Sequence, residues 1–230
     1  MKRRALIIIL CIAAVCILSA CSDGRQPVKP KKAYKDTLAD IQEVISDPES
    51  EEDIIDGIYG IQEAILALGD AAADTVGYTY HDMNGDGQME LLIGNFEDTG
   101  ALDVKNELYG AFTYKGGSPE PLFEKQKRNT YALTDTGTLY FYGSDGEVYH
   151  ILAEYQMTEA GIVCIDFYFS YPKYGDVNNI EYFHNTTGEW DPNVSEKVDM
   201  TYEQFEELRK SLAARTVSID AEMLYKTGKK

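Results

Sequence analysis

"VGYTYHDMNGDGQMELLIGNF", residues 76–96, is where the chain changes character. Val76, Tyr78 and Tyr80 alternate with Gly77, Thr79 and His81, while Met89 to Phe96 is a short apolar run, and Asn84-Gly85 and Asp86-Gly87 lie between them. Period-two alternation rich in aromatic and β-branched residues marks strands, and Asn-Gly or Asp-Gly marks a reversal. The stretch therefore reads as strand, tight loop, strand. The same signature runs on to His184, with further strands expected at Glu107 to Lys115, Thr130 to Thr134, Thr138 to Tyr142, Glu147 to Gln156, Ile162 to Tyr171 and Ile180 to His184. Between them sit Gly116-Gly117-Ser118-Pro119, Thr134-Asp135-Thr136-Gly137 and Ser144-Asp145-Gly146, all turn chemistry. Links this short favour antiparallel neighbours, so a meander is the expected topology.

Upstream of the hairpin the period is helical. Leu38, Ile41, Val44 and Ile45 lie on one stripe that ends at Ser46-Asp47-Pro48, where Asp47 suits an N-cap and Pro48 a first helical position. Ile54, Ile58, Ile61, Ile65 and Leu68 form a second stripe, stopped by Gly69. Downstream, Thr201 with Gln204 three residues on forms a capping-box pattern ahead of Phe205, Leu208 and Leu212. The expected class is α+β: an N-terminal helical pair, a long curved antiparallel meander and a C-terminal helix. The body, residues 34–230, is of a size for one domain, and no internal repeat is visible.

The N-terminus points to a location. Lys2, Arg3 and Arg4 precede an apolar run from Ala5 to Ala20, which is short for a membrane span of roughly 20 residues. Leu18-Ser19-Ala20-Cys21 resembles the lipobox of bacterial lipoprotein precursors. That resemblance implies a signal peptide over residues 1–20, diacylation of Cys21 and a mature protein held at the outer face of the cell membrane by lipid. Two acyl chains give the stable anchoring that one does not. Residues 21–33, polar and proline-bearing, suit a flexible tether.

With 21 basic against 39 acidic residues the net charge is -18, a field that repels nucleic acid and draws cations or basic partners. Of the four cysteines, the resemblance implies that two leave with the leader and that Cys21 is lipidated, which would leave Cys164 alone free.

Within the opening stretch, Asp82, Asn84 and Asp86 fall at alternate positions, followed by the Gln88 carbonyl and Glu90. Alternation in a tight loop aims every second side chain inward, and a hard cation such as calcium takes six to eight oxygens at about 2.3 to 2.6 Å. An EF-hand needs a bidentate glutamate at its twelfth position, which here is Ile93. The loop instead resembles the calcium loops of FG-GAP or integrin-type repeats, with Asn84 and Glu90 as departures from their aspartates. Similar single loops occur in uncharacterised lipoproteins of Gram-positive bacteria, which the chain also resembles. The resemblance implies a structural calcium ion at Asp82, Asn84, Asp86, Gln88 and Glu90. A competing reading is a metal-free hairpin with Asn84-Gly85 as a type I′ turn joining Tyr78 to Met83 with Asp86 to Ile93.

Among 17 tyrosines, Tyr140, Tyr142, Tyr149 and Tyr168 lie on strands where, if exposed on the concave side of the sheet, they would form a face for a ligand or protein partner; the competing reading, which the residue type favours, is that they fill and edge the core. The leading expectation is a membrane-anchored, extracytoplasmic binding module without catalysis. The alternative is an anchored hydrolase working from a carboxylate pair or from Cys164, which the alternation sets on one face with Asp166 and Tyr168.

Overall fold

The computed structural model describes residues 28–47, 57–96 and 103–224. Eleven strands form one sheet: β1 (Val76–His81), β2 (Glu90–Asn95), β3 (Glu107–Lys115), β4 (Ser118–Glu124), β5 (Asn129–Leu133), β6 (Leu139–Ser144), β7 (His150–Thr158), β8 (Gly161–Pro172), β9 (Ile180–Asn185), β10 (Glu196–Val198) and β11 (Glu222–Met223). Their order is β10-β9-β8-β7-β6-β5-β3-β2-β1-β11, with β4 branching off beside β3, and every pairing is antiparallel.

The α+β expectation is corrected. Of the described residues, 40% are strand and 26% helical, so the molecule is a sheet protein with short helices laid on it. Where a helical pair was expected there are separate pieces: α1 (Pro30–Ala33), α2 (Lys35–Ser46), α3 (Tyr59–Leu68) and α4 (Ala72–Thr75), with a 3-10 turn at Gly69–Ala71. The expected second-helix start at Asp47-Pro48, with Ile54, lies outside the described residues apart from Asp47, which closes α2. Nor is the sheet a plain meander. β3 pairs β5 only at Leu108↔Tyr131 and gives the rest of that edge, Gly110 to Lys115, to β4. The last strand, β11, returns to the far edge beside β1.

One face of the sheet carries the helices. α2 and α3 bury Ile41, Ile61 and Ile65 against Leu91, Ile93, Tyr109 and Phe112. Farther along, α5 (Tyr202–Ala213) covers Ala132, Tyr140, Leu152 and Tyr182 with Phe205 and Leu212. α5 begins with a complete capping box: the Gln204 amide donates to Thr201 Oγ1 at 3.3 Å and the Thr201 amide donates to Gln204 Oε1 at 2.8 Å. The opposite face buries Leu92, Leu108, Leu133 and Leu139, and beyond them Phe141, Phe167, Phe169 and Phe183. Tyr131 and Tyr155 pack into both groups, making one continuous apolar layer, and Phe123 of β4 stacks on Tyr131 at 4.4 Å. Register shifts at three places kink the strands, as bulges do, and allow the sheet to curl over this layer.

The first bulge matters for packing. Ile93 pairs Gly110 and Gly94 pairs Leu108, which leaves Tyr109 without a partner on β2. At this crossing the strands are so close that a Cβ on Gly94 would sit 2.3 Å from the Glu107 carbonyl oxygen.

After α5 the chain runs back along the molecule as a strap. The Arg215 carbonyl accepts from the Asp135 amide at 2.9 Å, Thr216 bridges Thr134, and the Val217 amide donates to Leu133 at 2.9 Å. Ile219 then donates to the buried Asn106 side chain at 2.6 Å, and Leu224 to Val76 at 3.1 Å. Gln42 of α2 donates to the Leu224 carbonyl at 3.0 Å, so the strap also holds the helical layer.

Candidate functional site

β1 and β2 pair as far as His81↔Glu90, so residues 82–89 form an eight-residue loop and not the two-residue Asn84-Gly85 turn. Gly85 and Gly87 both take left-handed φ, 76° and 87°, which glycine adopts without a Cβ clash. The inward-facing side chains fold onto the loop's own amides. Asp82 accepts from the Gly85 amide at 2.7 Å with one oxygen and from the Gly87 amide at 2.9 Å with the other. Asn84 Oδ1 accepts from Asp86 at 3.1 Å, and Asp86 Oδ1 accepts from Gln88 at 2.7 Å. Asn84 Nδ2 closes the ring by donating to Asp86 Oδ2 at 3.1 Å.

Glu90 sits beneath this loop and is wholly buried. Its Oε2 accepts from the Met83 amide at 3.0 Å and its Oε1 from the Thr113 hydroxyl at 3.2 Å. Burial pushes its carboxyl above the usual range; the two hydrogen bonds oppose that, and the Asp86 and Asp82 charges add to it. A carboxyl whose folded pKa is raised stabilises the fold fully below its unfolded pKa and loses that contribution as pH rises through the folded value. Ionised Glu90 therefore weighs against the fold at neutral pH. Gln88 reaches across to β3, its side-chain amide donating to the Tyr114 carbonyl at 2.6 Å, and the Tyr34 hydroxyl donates to the Met89 carbonyl at 2.9 Å. The donor set is all oxygen and anionic, which fits a hard cation such as calcium, and each Asp82 and Asp86 oxygen keeps a second lone pair beyond its hydrogen bond. As arranged, among the described residues, no three acidic, histidine or cysteine side chains stand close enough together to hold an ion. Glu90 turns towards Met83 and β3.

The four tyrosines expected to share a face do not. Tyr140 is buried under α5, and Tyr142 lies beneath the Arg209 guanidinium, 5.2 Å from the ring centre. Tyr142 donates to His150 Nδ1 at 2.8 Å, since His150 Nε2 must donate to the Glu147 carbonyl at 3.1 Å. Tyr168 stacks on His184 at 4.5 Å. Tyr149 is on the other face, edge-on to Tyr171 at 5.5 Å and to Trp190 at 5.8 Å. That trio, with Tyr171 and Trp190 exposed and Tyr149 half-buried, contains the chain's one tryptophan; its place in a polar stretch outside any strand pattern was the available signal.

The groups behind a hydrolase are also separated. The bulge in β8 pairs Cys164 with Tyr155 but Asp166 with Glu154, so Ile165 is skipped. Cys164 consequently packs with Phe167 and Phe169, while Asp166 faces the α5 side, correcting the expectation that the two share a face. The thiol donates weakly to the Asp166 carbonyl at 3.5 Å, and burial pushes its pKa up to about 11, the reverse of an activated nucleophile. The two carboxylates that the register sets side by side, Glu154 and Asp166, each hold a base. Asp166 Oδ1 lies 2.5 Å from His184 Nε2. Glu154 takes Arg215 at 3.2 Å on both oxygens and the Thr138 hydroxyl on Oε1. Arg215 stands 61 residues from Glu154, and nothing in their spacing announces the pair.

Cys21 and its lipobox lie outside the described residues. No helix among the described residues is long and apolar enough to cross a membrane. Compared with known proteins, the chain matches no family profile, no curated relative and no solved structure.

Proposed function

We propose that the protein is a lipid-anchored, extracytoplasmic binding module whose β1–β2 loop takes a structural calcium ion. The calcium part is carried by Glu90. A buried carboxyl made costly by desolvation and by the Asp86 and Asp82 charges is relieved by a cation in a way that hydrogen bonds alone do not achieve. Asp82, Asn84, Asp86 and the Gln88 carbonyl would supply oxygens, Glu90 would join them by turning from Thr113 towards the loop, and the bound ion would staple the end of the β1–β2 hairpin. The anchor rests on Leu18-Ser19-Ala20-Cys21 behind a basic and apolar leader. A hydrolase acting through Cys164 has the raised thiol against it, and one acting through Glu154 and Asp166 would first have to release Arg215 and His184.

Thermal melts of the full chain in 10 mM calcium and in chelator test the metal. With the affinity of extracellular sites, about 10⁻⁴ to 10⁻³ M, the wild type gains about 1.4 to 2.7 kcal/mol from calcium. Asp86→Ala loses most of that gain. Glu90→Gln melts above wild type in chelator at neutral pH and gains less from calcium. Equal wild-type midpoints in the two buffers would remove the calcium from this reading.

Fractionation tests the anchor. Cys21→Ser is expected to abolish incorporation of labelled fatty acid and to change the wild type's membrane-bound, processed form. A Cys21→Ser chain that is still acylated sinks the lipid assignment.

A further inference from the structure

A groove of about 270 Å³ opens between α3 and the β4–β5 connection, away from the calcium loop. Its origin is a close approach: a Cβ on Gly60 would fall 1.9 Å from the Lys125 carbonyl oxygen, so only glycine lets α3 press onto that backbone. Ala64 and Ala67, one and two turns on, leave an apolar floor, and Leu66 stands 46% exposed beside it. The facing wall is Lys125-Gln126-Lys127-Arg128. Lys125 is spoken for, paired with Glu107 at 2.8 Å and set over the Tyr109 ring. Lys127 and Arg128 are exposed and, among the described residues, take no ion pair. On the helix rim Glu63 accepts from the Tyr59 hydroxyl at 3.1 Å.

Arg128 also holds a left-handed φ of 70°, a conformation in which a side chain other than glycine is strained. The turn, closed by the Asn129 amide on the Gln126 carbonyl at 3.0 Å, would fold more easily with glycine there. Strain of this kind gathers at ligand clamps.

We propose that this groove binds a single-chain amphiphile with an anionic head, its alkyl chain on Ala64, Leu66 and Ala67 and its carboxylate or phosphate between Lys127 and Arg128. The volume is below the roughly 300 to 1,000 Å³ of drug-sized pockets, which suits one chain and excludes a two-chain lipid. The walls are a helix with its amides already bonded and cationic side chains, so a peptide backbone would find few partners.

Full-length protein carrying ¹³C-methyl alanine reports the site by nuclear magnetic resonance, because shifts at Ala64 and Ala67 are distinct from any in the leader. Decanoate and decyl phosphate, below their micellar concentrations, are expected to shift both methyls saturably, the better of the two identifying the head group. Lys127→Glu/Arg128→Glu weakens binding at least tenfold. Arg128→Gly weakens it several-fold without lowering the thermal midpoint, which separates loss of a ligand contact from loss of fold. The proposal is overturned if decanol shifts the methyls as well as decanoate does, if inorganic phosphate saturates them as tightly as decyl phosphate, or if charge reversal leaves affinity unchanged. It is overturned equally by shifts that track protein concentration without ligand, which would make the groove a contact between copies.

Discussion

Gly94→Ala is expected to destabilise the protein by about 3 kcal/mol or more, at or above the upper end of overpacking costs. The added methyl meets backbone, 2.3 Å from the Glu107 carbonyl oxygen and 3.0 Å from Leu108 Cα, and backbone in mid-sheet has nowhere to turn. Relief would require β2 to part from β3 at the bulge, between Ile93, Leu92 and Leu108, all fully buried. Gly77, directly paired with Gly94 across the hairpin, is the control. Its Cβ would stand 3.0 Å from the Glu222 carbonyl and 3.2 Å from the Phe96 ring, neighbours at the β11 edge with room to give. Gly77→Ala should cost about 1 kcal/mol. Urea titrations of both variants decide; a Gly94→Ala midpoint within error of wild type would mean that the bulge is not packed as described.

The second large effect is expected at Arg215. Arg215→Ala removes both bonds to Glu154, the 2.8 Å bond to Thr136 Oγ1 and the contact with Asp135. Glu154 is then a carboxylate with an 11% exposed side chain and the Thr138 hydroxyl as its remaining partner. Orphaning one member of a fully buried pair costs about 3 to 5 kcal/mol. Arg215 is 35% exposed, so water enters in its place, and about 2 to 3 kcal/mol is the expected loss. The double variant Arg215→Ala/Glu154→Leu should recover much of it, because no charge is left without a partner. If the double variant is as weak as the sum of the two single ones, Arg215 acts through packing and the ion pair is incidental.

Some of this fold was open to reading along the chain, for definable reasons. Glu107–Lys115 has strand bounds identical to those expected because its aromatic and β-branched residues are flanked by clear turn chemistry. β4 escaped because its start, Ser118-Pro119, reads as the end of a turn, and Pro119 and Pro121 are unusual in a strand. They are tolerated there because β4 pairs β3 alone and leaves its other edge unpaired. β11 has two residues, too few for any period, and exists only because β1 offers an edge.

The site was read to the same depth. Asp82, Asn84, Asp86 and Glu90 were visible as a cluster, but the direction in which Glu90 points was not, because it depends on Thr113 across the sheet. The tyrosine face failed for another reason: Tyr149 and Tyr168 point to opposite faces, and α5 covers Tyr140. The bulge at Ile165 reverses the facing of Cys164 relative to Asp166, and no pattern within "GIVCIDFYFSY" reveals a skipped residue.

The returning strap sets a timetable for folding. Lys31 and Tyr78 reach Glu222 across 191 and 144 residues of sequence, and Gln42 reaches Leu224 across 182. Contacts this remote lower folding rates, since the chain must close a long loop before they form. β1, the first of the described strands to be made, keeps a bare hydrogen-bonding edge until β11 has emerged. Until then the nascent protein is a templating hazard to its neighbours, and a translation product lacking β11 would keep that hazard permanently.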